Sequence, residues 1–140
     1  MFSADDEGRI VAAIQAAEKV TSGEIMVHLE KSWPGDPYQR AVHWFHRLGL
    51  QKTQQRNGIL LLLIEKQKRF ALVGDEGIHR AVGQDFWERA AGVLNSHLKE
   101  GKLAEGLCAT VAMIGEALAT YFPYTASSDR NELPDSISHL

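Results

Sequence analysis

The run Ile59 to Ile64, six apolar residues between Asn57-Gly58 and a charged turn at Lys66 to Lys68, constrains this chain most. A strand apolar on both faces must lie inside a sheet with a layer on each side. Phe70 to Val73 follows the turn, and Gly74-Asp75-Glu76-Gly77 follows that. The two apolar segments therefore read as a hairpin. If they pair antiparallel, the start of the first lies beside the end of the second. Asn57 and Asp75 then become neighbours across the sheet.

Upstream, residues 4 to 20 carry helical periodicity, with Ser3 as an N-cap and Asp5, Asp6 and Glu7 at the positive end of the helix dipole. Thr21-Ser22-Gly23 breaks the helix. Glu24 to Glu30 then alternates, with Ile25, Val27 and Leu29 making one strongly apolar strand face. Asp36-Pro37 starts a second helix whose stripe is Ala41, Trp44, Phe45 and Leu48, ending at Gly49. A short helical piece over Ile78 to Val82 is followed by a helix capped by Asp85 and running from Phe86 to Glu100. The last helix runs from about Leu103 to Phe122 on a stripe of Leu107, Val111, Ile114 and Leu118. Two strands joined through a helix default to a parallel, right-handed crossover. The expected fold is α/β, a three-layer α/β/α sandwich with a small mixed β-sheet flanked by helices. Residues 1 to 123 form the domain, and 124 to 140 are expected to be a flexible polar tail.

This topology brings the polar strand ends together. Both strands of the parallel pair start at one rim, and the hairpin returns its second strand to the same place. Glu24 (with Thr21 and Ser22), Asn57, Asp75 and Glu76 are expected to converge there, with Asp85 within reach. Carboxylate, amide and carbonyl oxygens are the donors that calcium or magnesium takes. Ordinary turn and capping chemistry explains each residue separately, so both readings fit. Arg56 and Arg80 lie near the same rim and are the candidate phosphate-binding residues.

Other signals are weaker or exclusionary. His43 and His46 share a helix face, but no third metal ligand lies nearby in sequence. There is neither a phosphate-cradling glycine motif nor a nucleophile elbow. The single cysteine, Cys108, permits no internal disulfide and falls in an apolar helical pattern. A net charge of −3, with 15 basic residues scattered along the chain, argues against nucleic acid as a partner. With no basic-plus-apolar leader and no contiguous apolar run of membrane length, the expectation is a soluble, cytoplasmic protein without membrane insertion.

The segments TSGEI (Thr21 to Ile25), RNGILLLL (Arg56 to Leu63), VGDEGI (Val73 to Ile78), DFW (Asp85 to Trp87) and EGKLAEGL (Glu100 to Leu107) resemble the TPM domain family. That family is named for a thylakoid-lumen protein, a photosystem II repair protein and a nematode receptor modulator. The resemblance spans roughly residues 4 to 122. It implies an α/β/α sandwich and a calcium-type metal site in loops at one end of the sheet. Carried over residue by residue, the site comprises Glu24, Asn57, Asp75, Glu76 and Asp85. It also implies a weak metal-dependent acid phosphatase; the absence of a nucleophile motif beside the carboxylates favours instead a divalent-cation-dependent interaction module for a protein partner. Many relatives carry a leader and a membrane anchor, neither of which is read in this sequence.

Overall fold

The computed structural model describes residues 2–124 and 137–139. Helix α1 (Ala4–Glu18) opens the chain with a reciprocal cap: Ser3 Oγ accepts from the Asp6 amide and Asp6 accepts from the Ser3 amide. Strand β1 (Glu24–Glu30) follows, then helix α2 (Pro37–Arg47), where Asp36 accepts from the Gln39 amide and Pro37 occupies the first turn. A 3-10 turn over Leu50–Lys52 leads to strand β2 (Gly58–Ile64) and its hairpin partner β3 (Arg69–Gly74). Helices α3 (Glu76–Val82), α4 (Gln84–Lys99) and α5 (Leu103–Tyr121) complete the body, and strand β4 (Ile137–His139) returns to the sheet.

The sheet order is β3-β2-β1-β4. β1 and β2 are parallel with Glu24 beside Gly58 and Glu30 beside Ile64, and β2 and β3 are antiparallel with Ile59 beside Gly74. The parallel crossover and the hairpin are therefore as the spacing predicts.

Alternation along the strands sorts the core into two layers. Ile25, Val27 and Leu29 of β1 and Ile59, Leu61 and Leu63 of β2 pack against α1, α4 and α5 through Ile14, Phe86, Leu94, Leu107 and Ile114. The opposite face, Met26, Leu60, Leu62, Ile64, Ala71 and Val73, packs under Ala41 and Phe45 of α2 and under Leu50. All seven residues of β2 are buried. Each large aliphatic side chain so buried contributes roughly 1.5–3 kcal/mol relative to exposure.

Several expectations need correction. β1 is buried on both faces, not one. It has a strand on each side and a helix layer above and below, so Met26 and His28 are covered as fully as Ile25. The tail is not structureless throughout: residues 137–139 pair in parallel with Val27, His28 and Leu29. The remainder of the expected tail after residue 124, 125–136 and 140, lies outside the described residues. Asp85 does not cap α4. Gly83 holds that position at φ 78°, a left-handed conformation suited to glycine, and Asp85 sits exposed in the first turn. α3 starts earlier than its apolar residues suggest, because Asp75 caps it through the Glu76 amide. α5 is by length and composition long and apolar enough to cross a membrane, although no contiguous apolar run is. Here its stripe of Leu107, Val111, Ile114 and Leu118 is fully buried among the core residues of α1, α4 and the sheet.

An aspartate at Leu61 would place a charge where both adjoining layers are apolar. Leu61→Asp is expected to cost more than about 4 kcal/mol and to abolish the cooperative unfolding transition in urea. A melt within about 1 kcal/mol of the unaltered protein contradicts the double burial of β2.

Candidate functional site

The rim at the start of β1 and β2 is built from turns that fasten one another. Thr21 Oγ1 accepts from the Gly23 amide at 3.0 Å and donates to the carbonyls of Leu118 and Phe122, tying the approach to β1 to the end of α5. The Glu18 carboxylate, missed by sequence reasoning because it closes a helix, accepts the Ile25 amide at 2.8 Å. Before β2, the Thr53 hydroxyl accepts the Asn57 amide at 3.1 Å. Arg56 adopts φ 53°, and its carbonyl receives the amides of Gly77 (2.9 Å) and Ile78 (3.3 Å) at the start of α3. Gly77 is required by this approach: a β-carbon there would stand 2.2 Å from the Gln55 carbonyl oxygen and 2.6 Å from that of Arg56.

The predicted convergence is present in the backbone. The Glu24 amide meets the Asn57 carbonyl at 3.4 Å, and the Asp75 amide meets the Gly58 carbonyl at 2.9 Å. Glu24 in β1, Gly58 in β2 and Asp75, the residue after β3, therefore form one row, and alternation puts them on one face. At the usual strand spacing the two acidic α-carbons stand about 10 Å apart. The missing side chain of Gly58 is filled by the Leu50 carbonyl oxygen, 2.7 Å from where a β-carbon would be. Glu24, Asn57 and Asp75 are all buried, at 3%, 1% and 7% exposure.

Side chains qualify the picture. Both Asp75 oxygens engage Arg56, Oδ2 with Nε at 2.7 Å and Oδ1 with a terminal nitrogen at 2.8 Å. Oδ1 also accepts the Glu76 amide. This fork holds the Arg56 guanidinium protonated beyond its ordinary range, first through the hydrogen bonds and then through the charge of Asp75. The Asn57 side-chain amide reaches the Ser22 hydroxyl at 3.4 Å. Glu76 is half-exposed, with Arg56 at 3.8 Å and Arg80 at 3.9 Å. Arg80, with a side chain 79% exposed, projects from α3 into solvent. The donor chemistry is the hard-oxygen kind that suits calcium or magnesium. Among the described residues, however, no three His, Cys, Asp or Glu side chains come together as a ready metal cage. Three of the acceptor positions of the Asp75 carboxylate are in use, two of them by Arg56.

A second polar cluster, not anticipated from the sequence, occupies the other end of β1. Glu30 is fully buried, held by Arg40 Nε at 2.6 and 2.9 Å and by the Trp44 indole N–H at 3.0 Å. The Arg40 guanidinium lies 3.9 Å over Trp33, and His28 stacks on Trp44 with ring centroids 4.4 Å apart. An acidic residue ending an apolar strand, with arginine and tryptophan on the next helix, is the signal that would have found it. This cluster fastens α2 to the sheet. Elsewhere, His43 and His46 are exposed, and His46 Nδ1 lies 3.0 Å from the Val42 carbonyl oxygen. Burial pushes the half-buried Cys108 thiol up, as expected of an unreactive cysteine.

Two substitutions probe these clusters. Gly77→Ala forces carbonyls apart at the rim and is expected to destabilise by about 2–4 kcal/mol, with the largest amide shift changes over residues 53–58. Arg40→Met leaves a buried carboxylate without its charge partner and is expected to cost about 3–5 kcal/mol in urea unfolding, most of it recovered in Glu30→Leu, Arg40→Met.

Comparison with known proteins matches this architecture. The TPM domain profile matches residues 1–117. The solution structure of BA42 from the psychrophilic bacterium Bizionia argentinensis superposes with a TM-score of 0.92 at 39% identity, covering 100% of this chain and 96% of that one. An N-terminal domain from P. gingivalis shares the fold at TM-score 0.69 and 20% identity, over 86% of this chain and 78% of that one. The N-terminal domain of cg2496 from Corynebacterium glutamicum does so at 0.68 and 18%, over 100% and 80%. Among proteins of curated function, none matches the chain. With a family profile spanning most of its length and the same fold as BA42, the chain belongs to the TPM domain family.

Proposed function

We propose that the rim formed by Glu24, Asn57 and Asp75 binds a divalent cation, calcium or magnesium, and that the domain acts as a cation-dependent interaction module for a protein partner. The observation that carries this reading is the row Glu24–Gly58–Asp75: two buried acidic residues on one face, flanking a glycine whose empty position admits the Leu50 carbonyl oxygen. Buried carboxylates need a counter-charge. Arg56 supplies it for Asp75, and a cation is a chemical alternative to that guanidinium. Arg56 has a side chain 46% exposed, so its head group has a path to water. Glu76 stands next to Asp75 and adds negative charge at the mouth of the rim, while Asp85 is exposed in the first turn of α4.

Phosphomonoester hydrolysis is the alternative. It draws support from Arg56 at the rim, a guanidinium of the kind that holds phosphate. In the present arrangement that guanidinium lies on Asp75, and Arg80 faces solvent. The sequence also lacks a nucleophile elbow beside the carboxylates, and on that ground binding is the stronger reading.

Calorimetric titration with calcium tests it. Asp75→Asn is expected to bind at least about tenfold more weakly than the unaltered protein, and Arg56→Gln more tightly, because the competing charge is gone. Equal affinities in all three remove Asp75 from any site. Metal-dependent hydrolysis of p-nitrophenyl phosphate, lost in folded Glu24→Ala and Asp75→Ala, would replace the binding module with an enzyme.

A further inference from the structure

β3 ends the sheet on one side among the described residues, whereas β4 covers the other side by pairing with β1. In an antiparallel ladder, alternate residues turn both bonding groups inward. The Asp75 amide bonds the Gly58 carbonyl, so Val73, Ala71 and Arg69 also face β2. Phe70, Leu72 and Gly74 then present their N–H and C=O groups outward. Such a row is a template for another strand.

This edge opens onto a cleft of about 640 Å³. Its floor is Phe70 to Leu72 and Gly74, one wall is the start of α2 at Pro37 and Tyr38, and the other is Trp87 and Ala91 of α4. The Trp87 ring is fixed, because its N–H donates to His79 Nδ1 at 3.0 Å. The cleft is lined by three carboxylates, Asp36, Glu76 and Glu88, against one guanidinium, Arg69.

We propose that this cleft binds an extended, basic segment of a protein partner, which adds to the sheet as a strand beside β3. The outward groups recur every second residue, as an extended chain requires. The acidic lining selects lysine or arginine side chains at the mouth, and Trp87 with Phe70 gives apolar contact between them. A second copy of this chain fits poorly. Its own β3 lies between its own helix walls, and docking edge to edge would set acidic lining against acidic lining. The purpose of this surface rests on the interaction-module reading; its outward backbone row does not involve the cation, and Glu76 is the residue that the cleft and the rim share.

The test is a titration of the full chain with a fluorescein-labelled octapeptide of alternating lysine and valine, in calcium and again in EDTA. Anisotropy and amide chemical shifts are the readouts. Saturable binding is expected, with the largest shifts at Phe70, Leu72 and Gly74. Two control peptides are expected to bind at least about tenfold more weakly: one alternating glutamate and valine, and one N-methylated at alternate backbone amides. Glu88→Lys, an exposed change on α4, should weaken the lysine peptide at least about threefold without altering the melting temperature. The proposal is overturned by no binding at millimolar peptide, by shifts centred elsewhere, or by equal binding of the N-methylated peptide. It is also overturned if the same three amides shift with protein concentration alone, which would make the occupant a second copy. Peptide binding without calcium binding leaves this edge standing and removes the cation reading. Calcium binding without peptide binding does the reverse.

Discussion

The molecule depends on the complete burial of β2. Seven consecutive buried residues demand a strand neighbour on each side and a helix layer on each face. α1, α4 and α5 answer on one face, and α2 with the Leu50 turn answers on the other. Gly58 starts this strand because the Leu50 carbonyl oxygen occupies the space of a side chain. This close approach brings the 3-10 turn against the start of β2.

The loop carrying Arg56 ties chemistry to folding. Asp75 caps α3, pairs with Arg56 and follows directly on β3, while the Arg56 carbonyl receives the first amides of the same helix. A substitution at Asp75 therefore acts on Arg56, and through it on residues 53–57 and on the start of α3. The parts of the rim share donors and acceptors rather than standing alone, so a change at one of them reaches the others. The sheet edges differ in a related way: β1 gains β4, while β3 faces a cleft lined by α2 and α4.

Local patterning determined much of this. The two-sided apolar run at Ile59 to Ile64, the hairpin turn, the Asp36-Pro37 start and the stripe of α5 are legible because period and capping are properties of neighbouring residues. The meeting of Glu24, Asn57 and Asp75 at one rim was legible too, because chain direction alone dictates which strand ends coincide. Three features were decided only by tertiary structure. The Arg56–Asp75 fork depends on a left-handed turn at Arg56, which no pattern marks. The burial of Glu30 beneath Arg40 and Trp44 depends on how α2 lies across the sheet. The pairing of residues 137–139 with β1 depends on an open sheet edge, not on any strong strand signal in the tail. Secondary structure is written in spacings of two to four residues, whereas the partner of a buried charge or of a strand edge is set by residues far along the chain that only packing brings near.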